Sequence, residues 1–208
     1  MSDLQPTVFI IDDDEMLLKA LLCLFQSADL QVVGFSSPQA YLEQHDPEVP
    51  GCMVLDVQMP EIDGLLLQQM LVAEGDTLPV VFLSGHGDIP ISVRAMKQGA
   101  SDFLTKPVED TVLLTAVHAA IEKDRIVRQK RCELSEIDSL LATLTLRERE
   151  VLDHVVTGQL NKQIAADLGT GEKNIKVHRG RVMHKLKVRS LAELVRLYEK
   201  AVRGRTEG

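Results

Sequence analysis

Residues 52–56 read CMVLD, four apolar residues closed by a carboxylate. Four more apolar runs surround it: TVFII (7–11), VVGF (32–35), PVVFL (79–83) and DFL (102–104). Each is followed by a stretch whose apolar residues recur with the period of an amphipathic helix. Strands that are apolar throughout are covered on both faces, and a helix after every strand returns the chain for a parallel partner. Helix boundaries are marked too: Ser37-Pro38 opens one, Pro90 opens another, and Gly99 closes ISVRAMKQG (91–99). Residues 1–121 are therefore predicted to form an α/β domain with a doubly wound, five-stranded parallel sheet.

Beyond this domain the strand signal stops. Residues 122–143 (EKDRIVRQKRCELSEIDSLLAT) are charged, weakly amphipathic and free of Gly and Pro, which predicts a helical linker. Residues 144–208 predict an all-helical second domain. Its signals are capping boxes at Thr145/Glu148 and Ser190/Glu193, glycines 158 and 169 as helix stops, and a frayed end at RGRTEG (203–208). Charge divides the same way, at -14, 0 and +6 over the three segments, so the overall -8 conceals a basic module suited to a polyanion. Cysteines 23, 52 and 132 lie far apart with no CxxC spacing, which argues against a disulfide framework and a zinc site. No run nears the ~20 apolar residues of a membrane span. The start MSDLQPTVF lacks the basic-then-apolar order of a secretory leader, so the expected location is cytoplasmic, with no membrane partner.

Open parallel sheets form their binding crevice at the carboxyl ends of the strands. Polar residues occupy those ends here: Asp12-Asp13-Asp14-Glu15 after TVFII, Asp56 after CMVL, Ser84 after VVFL and Lys106 after DFLT. Converging carboxylates repel unless a cation neutralises them, and such an all-oxygen site suits Mg²⁺. A carboxylate beside that ion can attack phosphorus to form an aspartyl phosphate, whose oxygens an ammonium and a hydroxyl can then bind. Taken singly, each residue has a plainer use. An Asp after a strand commonly caps a helix, as expected of Asp14 with Glu15; a Lys is commonly solvated, and Phe103 reads as core.

The motifs IIDDDE (10–15), VLDVQMPEIDG (54–64), FLSGHGD (82–88) and FLTKP (103–107) resemble the receiver domains of two-component response regulators over Thr7 to Ile121. The resemblance implies a flavodoxin-like receiver with Asp56 as phosphoacceptor. Mg²⁺ would be held by Asp12, Asp13, Asp56 and the Gln58 main-chain carbonyl. Ser84 and Lys106 would sense the phosphate, and Phe103 falls where the family keeps its rotating aromatic. Such a domain assists only its own phosphorylation and dephosphorylation and is not otherwise an enzyme. His86 would either tune loss of the phosphate or be a polar surface residue.

In the basic module, a short helix, a glycine turn (GTGEK, 169–173) and a basic helix describe a helix-turn-helix, whose second helix enters the major groove. The segments LTLREREVL (144–152), NKQIAADL (161–168), KVH (176–178) and KLKVRSLAEL (185–194) resemble the LuxR-type domain of the FixJ/NarL class of response regulators, over Leu144 to Tyr198. By that resemblance Lys176 and Val177 would face base edges. Lys162, Lys173, Asn174, Arg179 and Arg181 are candidates for phosphate or base contacts, of which only base contacts specify sequence. Ile175, His178 and Val182 read as packing residues. Gly180 is unexpected in a reading helix, where glycine costs about 1 kcal/mol relative to alanine, and its use there would be close backbone approach to DNA. Leu191, Leu194, Val195 and Tyr198 form a stripe that serves either a dimer seam or the domain's own packing.

Together these readings predict a phosphorylation-controlled transcription regulator. A partner histidine kinase phosphorylates Asp56, Ser84 and Lys106 close on the phosphate, and the segment Pro90–Phe103 rearranges. The chain then forms a homodimer that sets two reading helices on double-stranded DNA. One rival is a Mg²⁺-dependent aspartyl-phosphate phosphohydrolase, but such enzymes usually carry a second acid two residues after the nucleophile, where this chain has Gln58. The other is a receiver joined to a helical interaction module that does not bind DNA.

Overall fold

The computed structural model describes residues 5–85 and 89–206. The first part alternates strand and helix: β1 (Thr7–Ile11), α1 (Glu15–Ser27), β2 (Gln31–Phe35), α2 (Pro38–Gln44), β3 (Gly51–Asp56), α3 (Gly64–Ala73), β4 (Val80–Ser84), α4 (Ile89–Lys97) and β5 (Asp102–Thr105). All strand pairs are parallel, in the order β2-β1-β3-β4-β5, as the apolar runs predicted. β3 and β4 are buried along their whole length because helices cover both faces. Alternate residues feed two cores. Phe9, Ile11, Met53, Leu55 and Phe82 pack on one face; Val8, Ile10, Cys52, Val54, Val81 and Leu83 pack on the other. Ser37 caps α2 ahead of Pro38, accepting from the Ala40 N–H, and Gly99 ends the α4 segment at φ 92°.

A single helix, α5, follows from Asp110 to Ala142 and takes in nearly all of residues 122–143. The chain divides into two compact units, residues 1–128 and 129–208, so α5 contributes to both. In the first unit its anchor is a buried ion pair. The Asp124 carboxylate, 1% exposed, accepts from the Gly51 N–H at the start of β3 and from Arg128 Nε. Arg128 in turn donates to the carbonyls of Pro47, Glu48 and Val49. All of these donors and acceptors are thereby satisfied, which a buried charge requires.

The second unit comprises the end of α5, α6 (Leu146–Val156), α7 (Asn161–Asp167), α8 (Glu172–Lys185) and α9 (Leu191–Thr206). Its core joins Ile137 and Leu141 of α5 to Val151, Leu152, Ile164, Ile175, Val182, Leu194 and Ala201. Both boxes predicted to cap its helices form in part or whole. At Thr145/Glu148 the bonds are reciprocal, whereas Glu193 reaches back to the Arg189 N–H while its own N–H donates to Ser190. Of RGRTEG, expected to fray, residues 203–206 continue α9, and Glu207 and Gly208 lie outside the described residues. Its end packs on α5: a Cβ at position 204 would fall 2.6 Å from Leu134 Cδ2, so any other residue there requires the Leu134 side chain to shift. Among the described residues no helix is long and apolar enough to cross a membrane.

Replacing Asp124 by Ala strips the Gly51 N–H of its acceptor and leaves Arg128 without its counter-charge. The first unit should lose about 3 kcal/mol, the scale for breaking a buried pair from one side. Urea denaturation followed by circular dichroism checks this, and an unchanged midpoint contradicts it.

Candidate functional site

Strand register decides which polar residues meet. β1 and β3 are neighbours with Ile11 beside Leu55, so Asp12 and Asp56 emerge side by side at the carboxyl edge. β4 and β5 bring Ser84 beside Thr105, and the Lys106 N–H donates to the Ser84 carbonyl at 2.7 Å. From there the Lys106 ammonium reaches Asp12 Oδ2 at 2.7 Å and Asp56 Oδ1 at 2.5 Å. The remaining oxygens are also engaged: Asp12 Oδ1 accepts from the Asp14 N–H, and Asp56 Oδ2 from the Gln58 N–H at 2.6 Å. Asp12, Asp56 and Ser84 are almost wholly buried.

Burial raises the Asp56 carboxyl above the ordinary range, and Lys106 opposes that shift. For Lys106 burial works against the charge, but the hydrogen bonds to Asp12 and Asp56 outweigh it and hold the ammonium above its usual value. The site thus sets one ammonium between two carboxylates.

Other predicted residues are placed around this pair. Asp13 and Gln58 are exposed, and Asp13 lines a cleft of about 300 Å³ with Ser37 and Glu61. Asp14 caps α1 as expected, accepting from the Met16 and Leu17 N–H groups; Glu15, read with it as a cap, instead lies in the first helical turn and pairs with Lys19. Phe103 is partly buried against the first core, its ring centroid 6.3 Å from that of Phe82. His86 lies outside the described residues. Sequence reasoning missed Gly64: a Cβ there would sit 2.2 Å from the Asp56 carbonyl oxygen, so glycine lets α3 start directly against the Asp56 backbone. Its position in VLDVQMPEIDG was the available signal.

Among the described residues no three acidic, His or Cys side chains form a ready metal cluster. The donor chemistry nevertheless fits Mg²⁺. Asp12 and Asp56 share a single cation already, each carboxylate oxygen keeps a free lone pair, and the set is entirely oxygen.

In the second unit, α7 ends in a glycine turn. Gly169 has φ 62°, its N–H bonds the Ala166 carbonyl, and the Thr170 N–H bonds the Ala165 carbonyl, which closes α7 and turns the chain into α8. Ile175 and Val182 are buried and His178 half-buried, as expected of packing residues. Lys162, Lys173, Asn174, Lys176, Val177 and Arg181 are exposed. Arg179 differs, for it is half-buried and donates to Asn161 Oδ1 at 2.7 Å, tying α8 to the start of α7. Of the α9 stripe, Leu194 is buried within its own unit and Tyr198 donates to Asp153, while Leu191 remains exposed. A pair the sequence did not reveal fixes the carboxyl end of α8. Lys185 Nζ donates to the buried Glu148 at 2.6 Å and to the Thr143 carbonyl.

A parallel sheet with a lysine-bridged acid pair at its carboxyl edge, followed by a helix-turn-helix unit, defines a receiver joined to a DNA-binding module. The family model for the response regulator receiver domain matches residues 8–118, and that for bacterial regulatory proteins of the luxR family matches residues 142–198. Nodulation protein W of Bradyrhizobium diazoefficiens is 46% identical over 192 residues, covering 92% of this chain and 85% of its own. Transcriptional regulatory protein FixJ of Azorhizobium caulinodans is 42% identical over 190 residues, covering 91% of this chain and 90% of its own. Among solved structures, the response regulator StyR superposes with a TM-score of 0.88 at 45% identity, covering 94% of this chain and 99% of that one. The chain belongs to the FixJ/NarL class of response regulators and is a phosphorylation-controlled, DNA-binding transcription regulator.

Hydrogen bonds from Lys185 and from Thr145 lower the Glu148 carboxyl from 4.5 to about 2. A depressed folded value means the unfolded chain binds the extra proton first, so this stabilisation is present above pH 4.5 and drains away as pH falls toward 2. In Glu148→Gln, stability of the second unit should be lower at pH 7 and depend less on pH across that window. Denaturation midpoints at stepped pH test this; a slope equal to that of the unaltered chain contradicts it.

Proposed function

We propose that Asp56 is the phosphoacceptor and that the supporting residues divide the work around it. The observation that carries this is the Lys106 ammonium bridging Asp56 and Asp12 in a nearly closed site. A carboxylate oxygen of Asp56 attacks the phosphorus of a phosphohistidine on a partner histidine kinase. The P–O bond forms as the P–N bond breaks, and the imidazole leaves and takes up a proton. Asp56 thereby loses its own charge to the new phosphoryl group. Lys106 keeps Asp12 as one partner and exchanges the other for a phosphoryl oxygen, while the Ser84 hydroxyl donates to a second. Mg²⁺ held by Asp12, Asp13, Asp56 and the Gln58 carbonyl would neutralise charge on the phosphoryl oxygens. The chain accepts a phosphoryl group and does not turn over as an enzyme.

Closure of Ser84 and Lys106 on the phosphate draws on Phe103 and the segment Pro90–Phe103, and the phosphorylated chain forms a homodimer in the cytoplasm. Its paired α8 helices then occupy two half-sites of double-stranded DNA. Lys176 and Val177 meet base edges; Lys162, Lys173, Asn174 and Arg181 contact the duplex around them, with Arg179 braced by Asn161. The exposure of Lys162, Lys173, Lys176 and Arg181 within residues 144–208, a segment of net charge +6, supports that assignment.

Asp56→Asn should abolish acid-labile labelling by a small phosphodonor, read by intact-mass spectrometry, and labelling that persists on another residue overturns the assignment. With the receiver phosphorylated, Lys176→Ala should weaken binding to a selected duplex about tenfold, the loss of one base contact. Fluorescence anisotropy measures it, and equal affinity removes Lys176 from the reading face.

A further inference from the structure

Glycine at position 180 has no explanation within the folded chain. It lies inside α8, where its φ is not in the left-handed region, and a Cβ built on it would meet no atom within 4 Å. Gly204 gives the contrast: it is also helical, but a Cβ there would strike Leu134. Alanine at 180 would therefore fit the free protein and favour the helix, because glycine leaves more backbone freedom to be lost on folding. A residue that weakens its own helix without easing any internal contact is accounted for by something that contacts the helix from outside.

The surroundings say what that is. Position 180 is exposed and shares a face with Lys173, Lys176, Val177 and His184, at spacings of three, four and seven residues, all exposed as well. Arg181 is exposed next to it, and the single acid of α8, Glu172, lies at its first turn. A cationic helix face with a notch at its centre fits a polyanion that comes close to the main chain. We propose that Gly180 is the point of closest approach between α8 and bound DNA, where the sugar–phosphate wall of the groove packs against the helix backbone one turn beyond Lys176 and Val177. This rests on α8 being the DNA-reading helix, and it makes Gly180 a position where affinity and fold stability oppose one another. The side chain of any other residue would hold the duplex off and lengthen the contacts of its neighbours.

The test uses the full, phosphorylated chain and a duplex that the unaltered protein selects from a random-sequence pool. Gly180→Ala should raise the thermal midpoint and weaken duplex binding at least about tenfold, the scale of one lost contact. Gly180→Leu should weaken binding further. Since no charge is removed, the slope of log affinity against log salt should stay as in the unaltered chain, unlike the flatter slope expected on losing a lysine. Unchanged affinity in both variants overturns the proposal, as does a lowered midpoint for Gly180→Ala, which would mean that the free fold itself needs glycine there. If the unaltered chain binds no duplex, the DNA-reading assignment of α8 fails instead, and the proposal with it.

Discussion

Two carboxylates, Asp12 and Asp56, stand side by side in a nearly closed site because β1 and β3 are parallel neighbours in register. They would repel one another there without a cation. Lys106 supplies it from the opposite side of β4, and its main chain is held by the Ser84 carbonyl. The ammonium therefore ties together β1, β3, β4 and β5 at one edge of the sheet. The phosphoryl group proposed for Asp56 would alter the balance at that single cation, which would give the fold a means of registering one covalent event across four strands.

The opposite end of β3 is fixed as firmly. Asp124 of α5 holds the first N–H of β3, and Arg128 gathers three carbonyls of the loop before it, so the strand that carries Asp56 is anchored at both ends. In the second unit the same economy applies to α8. A glycine turn sets where it starts, Asn161 braces Arg179, and the Glu148–Lys185 pair fixes its last turn. These polar ties hold helix α8, which itself carries no acidic residue after Glu172.

Much of this was legible in the sequence because it depends on local order along the chain. Apolar runs without alternation predicted a doubly covered parallel sheet, and the parallel sheet then located Asp12, Asp56, Ser84 and Lys106 at one edge. Cap residues Asp14, Ser37 and Thr145 act where the sequence placed them. What stayed hidden depends on distances between residues far apart in sequence. Asp124 lies 73 positions from Gly51, and Lys185 lies 37 from Glu148, with no spacing rule to join them. The helical continuation of α9 to Thr206 was hidden for the same reason: RGRTEG reads as a frayed end until Leu134 is seen against Gly204. Arg179 was grouped with the free cations because its tie to Asn161 crosses from one helix to the next.

The central claim is that the acid pair bridged by Lys106 controls the unit that carries α8. Its most direct test is duplex affinity of the full chain, measured before and after treatment with a small phosphodonor, with phosphoryl stoichiometry determined on the same sample. Binding should tighten once each chain carries one phosphoryl group and return to the starting affinity as the group hydrolyses. Affinity that stays constant while stoichiometry rises to one would contradict it.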